Sequence, residues 1–239
     1  RPLDIFVYSI GNADGYMPDT QWDTLAFLKE LGFMLENIRE ETSLIQFLKE
    51  ELGHTPAFDA SVQLFERQLL GHINLRGEST DPKFLVATEG VLGFKLPLEA
   101  NTVVENGVVT GLWLGPNEWL ILTPPHSETE IIRNLETALG NIFSAVNDIS
   151  GGQTVINLQG KNVRDVLSKG CTLDLHPRVF GPGFCAQTHL AKTNALIWQR
   201  DNSPSFDIIV RRSFSDYLAR WIKDAAQEYG LEVIFQPTD

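Results

Sequence analysis

The sequence predicts an α+β protein. It reads as two related units, each an antiparallel sheet with helices, preceded by an N-terminal helical extension. Three observations carry this reading. Strand-like and helix-like stretches succeed one another in the same order twice. A short string recurs: Ile73-Asn74-Leu75-Arg76-Gly77 and Ile156-Asn157-Leu158-Gln159-Gly160 agree at four of five positions. An Asn-Gly pair between two strand-like runs marks a hairpin, hence antiparallel neighbours. The repeats fall at about 64–149 and 153–235 within a body spanning 61–239, and the extension covers 1–60.

Residues 3–10 read as a short strand, ended by the turn-like Gly11-Asn12-Ala13-Asp14-Gly15. Leu25, Leu28, Leu31, Leu35, Ile38, Ile45, Leu48 and Leu52 then recur every few residues as one apolar stripe of helical period. Gly32 divides the stripe into two helices, and Gly53 stops the second. The outer face is acidic, with Glu36, Glu40, Glu41, Glu50 and Glu51. Such a stripe needs a covering surface, on this chain or on another subunit.

Residues 64–75 are strand-like. Asp81-Pro82 opens a helix to about residue 92, with Pro placed where its missing N–H costs nothing. Strands at 101–104 and 108–114 flank Glu105-Asn106-Gly107, and 119–122 is a further strand. Ser127-x-x-Glu130 is a capping box for a helix carrying Ile131, Ile132, Leu135 and Leu139, stopped by Gly140. A strand at 142–149 closes the unit. The second unit has a strand at 154–158, a helix at 163–169 closed by Gly170, and strands at 185–191, 196–198 and 206–210. Ser213-x-x-Asp216 starts a helix with Phe214, Tyr217, Leu218, Trp221, Ile222 and Ala225 on one side. Gly230 ends it before a last strand at 231–235.

Composition narrows the function classes. A chain of 239 residues with 43% hydrophobic and 21% charged residues is globular rather than disordered. No apolar run approaches the roughly 18 residues of a membrane span. Residues 1–10 do not read as a signal peptide, because Asp4 breaks the apolar run. Two cysteines make no disulfide framework, so a reducing cytoplasm is the expected setting. A net charge of −12 argues against nucleic acid as the main partner. Residues 1–149 carry the excess acid, while 150–239 are close to neutral; this implies either different neighbours for the halves or a solubilising face.

No motif forms a self-sufficient active site. The nucleotide-binding glycine loops are absent, and Ser150-Gly151-Gly152 joins two strands as a tight turn. Zinc at Cys171, His176, Cys185 and His189 would require all four to converge, and their spacings fit no common finger. Structural cysteines and surface histidines are the expectation. The nucleophile elbow of serine hydrolases is missing. His54, His72 and His126 have no sequence-level base or nucleophile beside them, and Asp148 reads as a cap or turn residue. Arg211-Arg212 is either a grip for a carboxylate or phosphate or a solvated pair. Trp113 and Trp119 are core aromatics or a stacking platform. No catalytic, cofactor-binding or metal-ligating residue is assigned, which fits a binding or structural subunit.

Several blocks together carry a family resemblance. They are Leu70-Gly71-His72-Ile73-Asn74-Leu75-Arg76-Gly77, Leu114-Gly115-Pro116-Asn117-Glu118-Trp119-Leu120 and Asp148-Ile149-Ser150-Gly151-Gly152-Gln153. To these are added Val163-Arg164-Asp165-Val166-Leu167-Ser168-Lys169-Gly170-Cys171, Leu173-Asp174-Leu175-His176-Pro177, Cys185-Ala186-Gln187-Thr188 and 206–214. Together they closely resemble the gamma subunit of heterotetrameric sarcosine oxidase, over about residues 64–229.

The resemblance implies a duplicated fold like that of the glycine cleavage T-protein and other folate-binding aminomethyltransferases. It also implies a place in a complex that oxidatively demethylates sarcosine or a related N-methyl amine and passes the one-carbon unit to tetrahydrofolate. FAD, FMN, NAD and tetrahydrofolate are then expected in partner subunits (alpha, beta and delta) and none in this chain, whose task is to brace the larger subunits. The alternative is an independent folate-binding protein or aminomethyltransferase of the T-protein type. Residues 1–60 depart from the family pattern as an addition. Aromatic and arginine side chains are typical interface anchors, so Trp22, Arg178, Phe180, Phe184 and Arg212 are the candidate contacts, with Leu28 and Leu35 of the stripe.

Overall fold

The computed structural model describes residues 42–51 and 60–234. Two twisted sheets face each other, and each carries helices on its outer side. The first sheet holds β2 (Gly71–Gly77), β3 (Val103–Glu105), β4 (Thr110–Gly115), β5 (Glu118–Thr123) and β6 (Ser144–Asp148) in the order β3-β4-β5-β2-β6. The second holds β1 (Val62–Arg67), β7 (Gln153–Gln159), β8 (Cys185–Leu190), β9 (Thr193–Asp201), β10 (Ser205–Arg211) and β11 (Leu231–Val233) in the order β8-β9-β10-β7-β1-β11.

The two orders match strand for strand, except that β1 is inserted between β7 and β11. β1 therefore belongs by position to the first repeat and by hydrogen bonding to the second sheet. It runs antiparallel to β7, with Phe65 opposite Asn157, and parallel to β11, with Leu64 opposite Val233. That parallel pair departs from the all-antiparallel expectation. Residues 64–75, read as one strand-like run, are two strands assigned to different sheets.

The helices follow the apolar pattern. α2 (Pro82–Leu92) starts as expected: the Asp81 carboxylate accepts from the Lys83 N–H, and Gly93 ends the helix in left-handed conformation at φ 76°. α3 (Glu128–Leu139) departs from its capping box. Ser127 has helical backbone angles and its side chain does not cap: the hydroxyl turns back toward the Pro125 carbonyl, and the Ser127 N–H that the box would give to Glu130 donates to the Pro124 carbonyl. α4 (Val163–Ser168) is short. α5 (Arg212–Ala225) buries Leu218, Ala219, Ile222 and Ala225, but begins one residue before the expected Ser213.

Three apolar layers result from strand alternation. Ile73, Leu75, Trp119 and Ile121 face α2 and α3. Ile156, Leu158, Phe206 and Ile208 face α4 and α5. Between the sheets lie Leu112, Leu120, Leu122, Val155, Cys185, Leu196, Trp198 and Ile209.

α1 (Ile45–Glu51) lies against the second sheet's core and α5. Leu44, Phe47 and Leu48 are buried in the core beneath the second sheet, so a division at residue 60 does not separate packed bodies. Two residues of the acidic face are paired with α5, Glu50 with Arg220 at 2.6 Å and Glu51 with Lys223 at 2.5 Å; Glu36, Glu40 and Glu41 lie outside the described residues. At this end the stripe is covered by its own chain. Leu25, Leu28, Leu31, Leu35, Ile38 and Leu52, the strand at 3–10 and the glycines at 32 and 53 lie outside the described residues.

The chain passes from one sheet to the other at Asp148–Gly152. The Asp148 carboxylate accepts from both the Ser150 N–H (2.9 Å) and the Ser150 hydroxyl (2.6 Å). The Ser150 Oγ in turn accepts from the His72 N–H at 2.9 Å, and the Gly152 N–H donates to the Ile149 carbonyl. These bonds use the Ser150 and Gly152 N–H groups, so the segment is a turn and not a phosphate cradle.

Candidate functional site

The repeated string has a shared physical task. Asn74 on β2 and Asn157 on β7 point between the sheets, and each donates to a carboxylate on the neighbouring strand. Asn74 reaches Glu118 at 2.8 Å, and Asn157 reaches Asp207 at 2.6 Å. Each carboxylate also takes arginine. Glu118 pairs with Arg76 at 2.8 Å, and Arg67 (2.5 Å) and Arg200 (3.3 Å) both reach the fully buried Asp207. Arg200 lies over the Trp198 ring at 4.9 Å. These groups link strands, as a charge buried in low dielectric must be paired.

On the outer side of the second sheet, Arg164 explains the 172–184 loop. Its guanidinium lies over the Phe206 ring at 5.0 Å and donates to the Leu175 and Phe180 carbonyls and to Gln199. The Asp174 carboxylate accepts from the His176 N–H at 2.9 Å. Gly170 supports the same region: a Cβ there would sit 2.4 Å from the Trp221 ring.

The loop carries three of the expected contact residues. Arg178 is exposed, with its N–H and Nε donating to His176 Nδ1. Phe184 is 41% exposed. Phe180 is a correction: it is buried, stacked on Phe206 with centroids 6.4 Å apart, and serves as an internal anchor of the loop. Leu98 and Val179 are further exposed apolar side chains. Leu98 lies on the segment beside Phe184, because Cys185 N–H donates to the Asn101 carbonyl and Val103 N–H to that of Gly183. Arg212 is half-buried at the start of α5. Trp22, Leu28 and Leu35 lie outside the described residues.

The cysteine and histidine quartet does not converge. Cys185 lies in the layer between the sheets, its thiol donating to the Thr102 and Trp113 carbonyls at 3.6 Å, and burial pushes it up to about 12. Cys171 is buried beside Thr188, while His176 and His189 are exposed. Among the described residues no cluster of three or more His, Cys, Asp or Glu side chains is placed to hold a metal. Trp119 is core, packed on Phe84 and donating to the Pro97 carbonyl at 2.8 Å.

One concave feature was not legible in the sequence. A cleft of about 420 Å³ opens where the ends of β8, β9 and β10 meet β4, floored by Leu114, Leu120, Leu196 and Ile209 and edged by Gln153, Gln187, His189, Asn194 and Arg211. A second hollow of about 300 Å³ adjoins it and adds Lys192 and Phe214. The larger cleft draws on strands of both sheets, and of its edge residues the sequence had weighed His189 as a metal ligand and Arg211 as an anion grip.

These features define a protein class: a duplicated two-sheet α+β body, whose buried ion pairs and amide–carboxylate bonds hold strands and loops. The chain superposes on the glycine cleavage system aminomethyltransferase T from Bartonella henselae with a TM-score of 0.60, over 82% of this chain and 59% of that one. At 13% identity this likeness shows the fold alone.

The nearer resemblance is more specific. The model of the sarcosine oxidase, gamma subunit family matches residues 76–228. Sarcosine oxidase subunit gamma from Corynebacterium sp. (strain P-1) is 33% identical over 201 residues, covering 82% of this chain and 96% of the relative. Its counterpart from Corynebacterium sp. (strain U-96) is 34% identical over 178 residues, covering 72% and 83%. A chain of the heterotetrameric sarcosine oxidase from Corynebacterium sp. U-96, solved in complex with pyrrole 2-carboxylate, superposes with a TM-score of 0.72 at 28% identity, covering 79% of this chain and 95% of that chain. The chain belongs to the sarcosine oxidase gamma subunit family. No described helix is long and apolar enough to cross a membrane.

Proposed function

We propose that this chain is a non-catalytic bracing subunit of a heterotetrameric oxidase acting on sarcosine or a related N-methyl amine, with the one-carbon unit passing to tetrahydrofolate. Family membership supports the complex, and one observation supports the bracing role: the buried charged groups are tied to strands and loops. Asp207 holds Arg67 and Arg200, Glu66 accepts from Ser43 and Thr154, and Arg164 ties the 172–184 loop. In this reading the companions are alpha, beta and delta subunits in the cytoplasm, and FAD, FMN, NAD and tetrahydrofolate sit in them. The exposed Arg178 and Phe184 and the half-buried Arg212, with Leu28 and Leu35, meet those companions.

The test is to recover the tagged chain from its native cell and run gel filtration with mass spectrometry. The expected result is a yellow peak holding larger flavin-bearing subunits, while the isolated chain is colourless and inert toward sarcosine. A monomer that turns over a methylated amine or a pterin unaided refutes the reading. Leu28→Glu with Leu35→Glu should reduce co-purification, and unchanged assembly with an intact fold removes the stripe from the interface.

A further inference from the structure

The two adjoining hollows at the ends of β8, β9 and β10 share His189, Asn194 and Arg211, and together form one open trough. Its charge runs against the molecule. The chain has 31 acids and 19 bases, yet among the described residues no Asp or Glu lines the trough, while Lys192 and Arg211 do. Like-signed groups above low-dielectric walls focus the field and draw in anions. The first turn of α5 meets the same end without a side-chain cap, which adds the positive end of a helix to the rim.

Gln153 lines the trough, and its Oε1 is buried with no hydrogen-bond partner. Leu114, Leu196 and Ile209 give an apolar floor, and Phe214, 43% exposed, gives an aromatic edge. Small-ligand pockets enclose most of their ligand. A shallow trough of two joined hollows instead suits a length of backbone with carboxylates beside it.

We propose that this trough seats an extended acidic segment of a companion subunit, so that the near-neutral half of the chain supplies a charged docking point. The proposal rests on the subunit reading above.

The experiment measures association of the full chain with the companion subunits of its own complex, at 50 and 500 mM NaCl, by interferometry. The native chain should associate more slowly at high salt. Arg211→Glu with Lys192→Glu should slow association on the order of tenfold at low salt, with circular dichroism and Tm of the isolated chain unchanged. Arg211→Lys with Lys192→Arg should restore it. Should the double reversal fold poorly, Lys192→Glu alone, at an exposed turn, gives the same test with a smaller response. Equal association of native and reversed chains overturns the proposal while leaving the subunit reading intact. If the native chain binds no companion at all, the subunit reading fails and the docking point with it.

Discussion

Protonating His72 works against the fold. Its ring is 2% exposed, Nδ1 donates to the Leu70 carbonyl at 2.9 Å, and Nε2 is buried without a partner. Burial lowers its pKa from the ordinary 6.5 to about 4. Between those values the unfolded chain takes the proton and the folded chain does not. The stability is therefore fully present above pH 6.5 and falls as pH drops toward 4, by at most about 3 kcal/mol. Urea midpoints at pH 7, 5.5 and 4.5 should show this loss, and His72→Leu should flatten the slope; an unchanged slope assigns the acid sensitivity to other groups. At this scale the sequence was readable in part. Asp148 is the turn residue expected, and Trp119 the core aromatic. Phe180 was misplaced because an aromatic in a Pro- and Gly-containing loop looks exposed until Arg164 and Phe206 are seen to hold it inside.

Elements were the most legible level. Asp81-Pro82, Asn106-Gly107 and Gly140 mark their helix and hairpin boundaries through local chemistry alone, and the structure follows them. The capping box at Ser127 failed because the preceding prolines fold a turn that competes for the same backbone. The recurring string was informative for a reason that pattern matching does not give: its asparagines hold carboxylates, and its glycines meet tight places. Gly160 has φ 122°, and a Cβ there would lie 2.2 Å from the Ser61 carbonyl oxygen, which is backbone and cannot swing away. Gly160→Ala should therefore cost about 2 kcal/mol or more, read as a lower urea midpoint at unchanged m-value. A loss within a few tenths would show that β1 and β7 can part slightly without penalty. α1 adds a second case: Phe47→Ala should cost about 3–5 kcal/mol, since its ring is fully buried.

For the molecule as a whole, the doubled order was visible in the letters but the exchange of β1 was not. Strand pairing over more than eighty residues of sequence leaves no local mark, and the period-2 burial of Val62, Leu64 and Glu66 suits either sheet. The exchange predicts one cooperative unfolding transition, coincident by tryptophan fluorescence and far-ultraviolet circular dichroism. It also predicts that a fragment starting at residue 150 will not fold alone, because β7 and β11 lack the strand between them, and that a peptide covering residues 60–70 will rescue it. A stable fragment without the peptide would mean the second sheet can close directly, as the first does. The trough shares this invisibility, being assembled from the ends of several strands.

The position of β1 also sets a schedule for synthesis. The strand leaves the ribosome long before β7, which first pairs with it at Arg67 opposite Val155. At about 5–20 residues per second, that delay is on the order of ten seconds. During it Val62 and Leu64 lack β7, β11 and α5, and of the described residues of their core cluster only Leu44, Phe47 and Leu48 precede them, so the nascent chain is open to off-pathway sticking or to chaperone capture. Slower translation before residue 153 would lengthen that hazard, and faster translation would shorten it.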